Sequence, residues 1–326
     1  MNSKLRKLYE DPVAYCLDSQ HGVLRWLGQR AFQKQTERYT ALGAANSHRK
    51  ITVIMTAYNT GGLVAEAVQS VLAQSHSDLE LMVMDDASSD DTLAVLKKLA
   101  ATDARMRVFH SPVNHGTYWS KNWCLSKADG EFVAFHDSDD VSDPMRLQMQ
   151  VGAMLDGKRG CDAVTCRWQR VNPEGQLLTI DGAVSRTSVI SMMIRREIVL
   201  NKVGYFDTVR IAADTEYKMR ITKLLGHNRL RNMRHVLYTG LLRDQSLTRG
   251  EQGGFEWRTE GLAITRSLSG NRADYMQAFQ NWHKSEQPLY VAFPQKSRPF
   301  VAPASICGAC DDMDVSQVVE VTPGHG

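Results

Sequence analysis

ITVIMTAYNTGGLVAEAVQSVLAQSHSDLELMVMDDASSDDT, residues 51–92, decides the fold. Residues 51–55 are apolar almost throughout and rich in β-branched side chains, the pattern of a strand buried on both faces. Two glycines relax the loop over 58–62. Leu63, Ala67, Val71 and Leu72 then recur at helical spacing, which predicts an amphipathic helix over 63–74. A second strand over 79–84 ends in Asp85 and Asp86. Residues 88–91 open another helix with serine or aspartate as N-cap, and Leu93, Leu96 and Leu99 form its inner face. Further along, the pattern predicts a strand at 106–109, a helix at 118–128 and a strand at 132–135. That last strand runs straight into Asp137, Ser138, Asp139 and Asp140. Strands separated by helices of this length imply a parallel α/β sheet.

Upstream, residues 1–50 read as a helical, basic arm. Leu5, Leu8 and Tyr9 lie beside Lys4, Arg6 and Lys7, and Val23, Leu24, Trp26 and Leu27 lie among Arg25, Arg30 and Lys34. Pro12 predicts two short helices rather than one. Packing on the main domain or on a second subunit is preferred over a peripheral membrane contact, which the mixture of basic and aromatic residues also allows. Downstream, a strand is expected at 163–171, a strand then a helix over 189–200, and helices at 215–225 and 272–283. Gly250, Gly253 and Gly254 mark a loop, and the stretch from 308 is expected to fray. The organisation that follows is an arm (1–50), a catalytic domain (51–245) and a partly helical, mixed extension (246–326). The domain divides into a nucleotide-binding half (51–140) and an acceptor-side half (141–245).

The bulk properties exclude little. The chain has 326 residues, 43% hydrophobic, with a formal charge of +3. That balance does not argue for nucleic acid. No apolar run is long enough to span a bilayer, and no signal-peptide core follows the basic residues at the start. The expected location is cytoplasmic, with contact at the inner face of a membrane as the peripheral alternative. Cys16, Cys124, Cys161 and Cys166 read as reduced thiols. Cys307 and Cys310 form one CxxC, but zinc needs four ligands, and His325, Asp311, Asp312 and Asp314 are poor complements.

Ligands of parallel α/β sheets bind beyond the carboxyl ends of the strands. Three polar groups fall there: residues 56–59, the pair Asp85 and Asp86, and residues 137–140. No GxGxxG follows the first strand, which disfavours a redox dinucleotide. Tyr58 can stack on a nucleobase, and Asp85 or Asp86 can accept a hydrogen bond from its ring N–H. Helix capping is the alternative for that aspartate pair. Asp137 and Asp139 offer hard oxygens to Mg²⁺ or Mn²⁺, which would bridge a donor's two phosphates. A solvated turn is the alternative, although three carboxylates within four residues repel one another unless a cation is near.

Four stretches together resemble the family 2 glycosyltransferases of bacterial surface-polysaccharide type. They are ITVIMTAYN (51–59), LELMVMDDASSDDT (79–92), NHGTYWSKNWCLSKADGEFVAFHDSDD (114–140) and ISMMIRREIVLNKVGYFDTVRIAADTEYKMRI (190–221). The resemblance implies the GT-A fold, a Rossmann-like, mostly parallel sheet flanked by helices. It implies that Thr56, Tyr58 and Asp86 hold base and ribose, with Ala57, Asn59, Asp85, Gly116, Lys121 and Arg243 completing the donor site. Asp137 matches the first carboxylate near ribose and metal, and Asp139 the principal ligand of Mn²⁺ or Mg²⁺. Asp214 matches the catalytic base, with Glu216 as its rival and an N-cap as the structural alternative. Gln245 stands where relatives often have histidine, and Arg243 is equally accounted for as a surface residue. His136 reads as structural, and Trp282 with His283 as a packed helix end.

The implied reaction is metal-dependent, inverting, non-processive transfer from a nucleotide-diphosphate sugar, UDP-sugar favoured. The acceptor would be a saccharide or a lipid-linked molecule in polysaccharide, capsule or lipopolysaccharide synthesis. The alternatives are nucleotidyl or sugar-phosphate transfer and a non-catalytic sugar-nucleotide-binding module. The first usually needs a basic loop after the first strand, which residues 56–62 lack. Asp137, Asp139 and Asp214 argue against the second.

Overall fold

The seven residues of β1 (Ile51–Ala57) are all buried, as a strand covered on both faces must be. It pairs in parallel with β2 (Leu79–Asp86) and with β4 (Phe132–Asp137), and β2 pairs in parallel with β3 (Met106–Ser111). Helices α3 (Val64–Leu72), α4 (Thr92–Ala100) and α5 (Thr117–Lys127) make the crossovers. The computed structural model describes residues 12–157, 160–243, 254–307 and 315–322.

Beyond β4 the sheet turns mixed. β9 (Met193–Arg195), which leads into α7 (Arg196–Lys202), runs antiparallel to β4, β6 (Ala163–Val171) antiparallel to β9, and β10 (Leu230–Leu241) parallel to β6. β5 (Asp140–Ser142) pairs with β10 and sets Asp140 opposite Gly240. Strands β7 (Leu177–Ile180) and β8 (Ser185–Thr187) also lie on β6. A hairpin of β11 (Phe255–Glu260) and β12 (Ala263–Leu268) continues the sheet through β7. The result is a mixed α/β fold with a large, mostly parallel central sheet flanked by helices.

Alternate residues of β1 serve two cores, as the pleat requires. Val53 and Met55 join Leu81, Phe132 and Met154 on one side. On the other, Ile54 joins Met84, Phe206, Tyr217 and Phe279. Phe279 comes from α9 (Gly270–Lys284), so the described part of the extension shares the second core.

The arm differs from the expected pair of short helices. Pro12 begins α1 (Pro12–Leu17), where a missing N–H costs nothing, and α2 (Gly22–Ala45) is one helix of 24 residues. α2 crosses α6 (Arg146–Leu155) at backbone contact. A Cβ on Gly43 would meet the Gln148 carbonyl oxygen at 1.9 Å, and one on Gly152 the Tyr39 oxygen at 1.9 Å. The far end of α2 leaves Val23, Trp26 and Leu27 exposed at 60%, 52% and 46%. Residues 1–11, with Lys4 and Leu5 of the basic stripe, fall outside the described part, as do Gln245, Gly250 and Gly253. Among the described residues, no helix is long and apolar enough to cross a membrane.

The chain's last stretch is not simply frayed. β13 (Val319–Glu320) pairs with β3, Glu320 takes two bonds of 2.9 Å from Arg107, and Thr322 Oγ1 accepts the Val108 N–H at 2.9 Å. The Cys307 thiol faces Arg298 Nη1 at 3.0 Å. Cys310, Asp311, Asp312, Asp314 and His325 lie outside the described residues.

Candidate active site

The order β3-β2-β1-β4 reverses direction about β1, and a cleft of about 470 Å³ opens beyond the carboxyl ends of β1 and β4. A doubly wound sheet binds its ligand at this switch point.

The first wall comes from the loop after β1, where Thr56, Ala57, Tyr58 and Asn59 all line the cleft. Asn59 adopts φ 52°, a left-handed conformation that asparagine tolerates. Its side-chain oxygen accepts the Ser89 N–H at 2.8 Å, and its own N–H donates to Ser88 Oγ at 3.0 Å. This pins the loop and leaves Tyr58 half exposed. Thr56 Oγ1 lies 2.7 Å from Thr117 Oγ1.

Asp86 lines the cleft and accepts the N–H groups of His115 at 3.0 Å and Gly116 at 2.8 Å. Burial pushes its carboxyl up despite those bonds. The capping alternative does not describe it, because the turn into α4 is bonded by Asp90, which accepts the Thr92 N–H at 3.0 Å. Asp85 is different. Neighbouring residues of a strand point to opposite sides, and Asp85 is fully buried with His110 Nδ1 at 2.8 Å. It does not line the cleft, so the expectation that both aspartates face the donor is corrected.

At the end of β4 the acidic run is held by cations. Lys121 Nζ sits 2.9 Å from Asp137 Oδ1, and Arg243 approaches Asp139 Oδ2 through Nη2 at 3.2 Å and Nε at 3.3 Å. Asp140 accepts the Leu241 N–H at 3.1 Å. Burial, then the charge of Asp137, pushes the Asp139 carboxyl up. Burial, then Asp139, pushes Asp140 well above the ordinary carboxylate range. His136 supports the run from inside: Nδ1 faces the Asp137 carbonyl at 2.8 Å, and burial and then Arg146 lower its pKa to about 3.

The remaining wall carries Asp214, in the first turn of α8 (Ala213–Leu225). Ala212, at φ 68°, is the N-cap residue, and Asp214, two residues on, accepts the first-turn N–H of Thr215 at 2.7 Å. Glu216 lies outside the cleft lining. It is fully buried, with Arg220 at 2.8 Å on each carboxylate oxygen and His283 Nε2 at 2.8 Å. Burial alone would raise its pKa, but Arg220 and His283 outweigh it and hold it below the usual range. Glu216 is therefore corrected from rival base to buried ion pair.

The cleft also takes residues that the sequence reading did not single out: Asn114, Tyr118, Arg170, Arg210 and Arg272. Arg210 Nη1 donates to Asn114 Oδ1 at 2.7 Å. Arg210 falls inside the stretch 190–221 and could have been weighed there. Arg272 had no signal, since only folding brings α9 to this rim.

The cleft is lined by five carboxylates (Asp86, Asp137, Asp139, Asp140, Asp214) and five cations (Lys121, Arg170, Arg210, Arg243, Arg272). A diphosphate entering this balanced set would bring surplus negative charge next to carboxylates that already resist ionisation. Among the described residues, no three His, Cys, Asp or Glu side chains form a ready metal cage. Asp137 and Asp139 could hold a hard cation that takes its other oxygens from phosphate or water.

Residues 52–208 match the model of glycosyl transferase family 2. This chain carries a family 2 glycosyltransferase domain. The glycosyltransferase domain is 42% identical over 107 residues to a Bacillus subtilis protein provisionally named glycosyltransferase EpsE, covering 32% of this chain and 38% of that protein. It is 36% identical over 105 residues to the Escherichia coli UDP-Glc:alpha-D-GlcNAc-diphosphoundecaprenol beta-1,3-glucosyltransferase WfgD, covering 32% of this chain and 41% of WfgD. The chain thus spans about two fifths of the length of these relatives. Its fold is similar to that of residues 1–349 of S. aureus TarS in complex with UDP-GlcNAc, with a TM-score of 0.50, 22% identity and 60% of each chain covered. That likeness is one of fold, the GT-A glycosyltransferase fold.

Proposed function

We propose that this chain transfers a sugar, with inversion, from a nucleotide-diphosphate donor to a hydroxyl of a saccharide or lipid-linked acceptor in bacterial surface-polysaccharide synthesis. The reading rests on one observation: the acidic run closing β4 and Asp214 of α8 line the same cleft at the switch point of the sheet. UDP-sugars are the favoured donors, in keeping with WfgD and with the TarS complex.

Tyr58 stacks on the base, and Thr56 and the 115–116 turn held by Asp86 border the ribose. Asp137 and Asp139 are the residues that would hold Mn²⁺ or Mg²⁺, and the raised Asp139 carboxyl in a charge-balanced cleft fits such an ion. When bound, the ion neutralises negative charge on the departing diphosphate. Arg243 and Lys121 add fixed positive charge on the same side.

Asp214 accepts the proton of the acceptor hydroxyl. That oxygen forms a bond to the anomeric carbon as the bond to the nucleoside diphosphate breaks. One displacement inverts the centre, adds one sugar and needs no enzyme nucleophile. The exposed Val23, Trp26 and Leu27, beside Arg25 and Arg30, support peripheral contact with the cytoplasmic face of a membrane where a lipid-linked acceptor would lie.

The test is a thermal-shift screen of nucleotide-diphosphate sugars with and without Mn²⁺, followed by donor hydrolysis. One donor should raise the melting temperature in a Mn²⁺-dependent way, and Asp139→Ala should abolish both shift and hydrolysis. A wild-type protein that ignores every donor, or an Asp139→Ala variant that hydrolyses normally, refutes the proposal.

A further inference from the structure

Beside the donor cleft lies a smaller depression of about 20 Å³, framed by Trp168, Trp257, Arg170, Arg186 and Arg266. It has room for one small group, not for a sugar ring. Its lining holds three arginines and no carboxylate. Asp181, just outside, pairs with Arg186 and with Arg266 Nε at 3.2 Å and aligns the two guanidinium groups.

Arg170 and Arg266 are stiffened by aromatic rings. Arg170 lies 3.9 Å from the centre of Trp168, and Arg266 lies 4.8 Å from Phe255 and 5.9 Å from Trp257. Arg272 lies 4.6 Å from the same Phe255. Stacking fixes the plane of a guanidinium and leaves its edges to read a planar or tetrahedral acid group. Arg170 lines both the depression and the donor cleft, and Arg272, against Phe255, lines the cleft. An acid group held beside Arg170 would sit next to the cleft, where the hydroxyl of the proposed acceptor must stand.

We infer that this depression is an acceptor subsite, and that the acceptor is an anionic glycan bearing a uronate carboxylate or a phosphate. The inference rests on the proposed function, because an acceptor presupposes transfer, but its test does not need the donor.

Three probes are titrated into the full chain without nucleotide: a tetrasaccharide of alternating glucuronate and N-acetylglucosamine, a short poly(glycerol phosphate), and neutral chitotetraose. At least one anionic probe should bind roughly tenfold or more tighter than chitotetraose, in line with charge-assisted contacts. The preferred anion separates the uronate from the phosphate source. Arg266→Gln and, separately, Arg186→Gln should each remove most of that preference. Both residues lie outside the donor cleft, so donor binding should persist. Should Arg266→Gln fail to fold, Arg186→Gln on the short edge strand β8 decides the matter. Equal affinity for charged and neutral probes, or an unchanged preference in Arg186→Gln, overturns the inference. If the donor screen fails while the anionic preference stands, it is the transferase reading that is wrong.

Discussion

Asp214 and Glu216 are two residues apart, both acidic, and carry opposite expectations. Glu216→Gln removes the counter-charge of Arg220, a side chain with no solvent exposure. Arg220 keeps the carbonyls of Val203 and Tyr205, at 2.5 and 2.7 Å, but they do not offset a full positive charge. Breaking one side of a buried pair costs about 3–5 kcal/mol. At about 2 °C per kcal/mol for a chain of this size, the melting temperature should fall by roughly 6–10 °C. Asp214→Asn touches only the cleft wall, where the asparagine oxygen can keep the bond to the Thr215 N–H that Asp214 makes at 2.7 Å. Its stability should stay within about 0.5 kcal/mol of wild type. Transfer should drop roughly 10²–10⁴-fold, the usual contribution of a general base, while donor binding persists. Circular dichroism melting and product release, assayed well below both melting points, separate the two effects. A stable but inactive Glu216→Gln beside an active Asp214→Asn would exchange the roles and refute the reasoning.

Gly152→Ala should destabilise the chain by about 1–3 kcal/mol, because the new methyl group meets backbone, not a side chain that can turn away. Chemical denaturation measures this, and a neutral result would mean that α2 and α6 are not in the contact described. Asp140→Asn tests the charge strain at the mouth. A carboxyl whose folded pKa is raised loses stability as pH climbs from its unfolded value through its folded one. The asparagine variant should therefore gain on wild type by up to about 1.4 kcal/mol per pH unit above pH 4. The gain should vanish below pH 4; a difference independent of pH would show that Asp140 is not strained.

The sequence was most readable where burial is simplest. Strands β1 to β4 are mostly apolar and buried, and β6 spans the expected residues 163–171. β10 escaped notice because its pairing with β6 shifts register between Asn232 and Val236 and again by Tyr238, which breaks the two-residue period. α6 escaped because Arg146, Gln148 and Gln150 read as polar surface although they are buried. Their polar ends bond the backbone oxygens of Phe135, Thr40 and Ser191. In the cleft, strand ends and helix starts were legible because their chemistry is local. Which of two adjacent aspartates faces inward depends on strand phase, and Arg272 depends on a helix packed from far along the chain.

That helix has an evolutionary consequence. Likeness to EpsE and WfgD covers only about a third of this chain, 32% in each case, and the family match ends at residue 208. Yet Arg272 borders the same space as Asp137. The family-matched segment and a residue far beyond it thus wall one cleft. If the proposed transfer holds, recombination or drift in the later segment would alter the acceptor while leaving the donor-side residues untouched. On that reading, proteins that share only the first segment are expected to differ in acceptor rather than in donor handling.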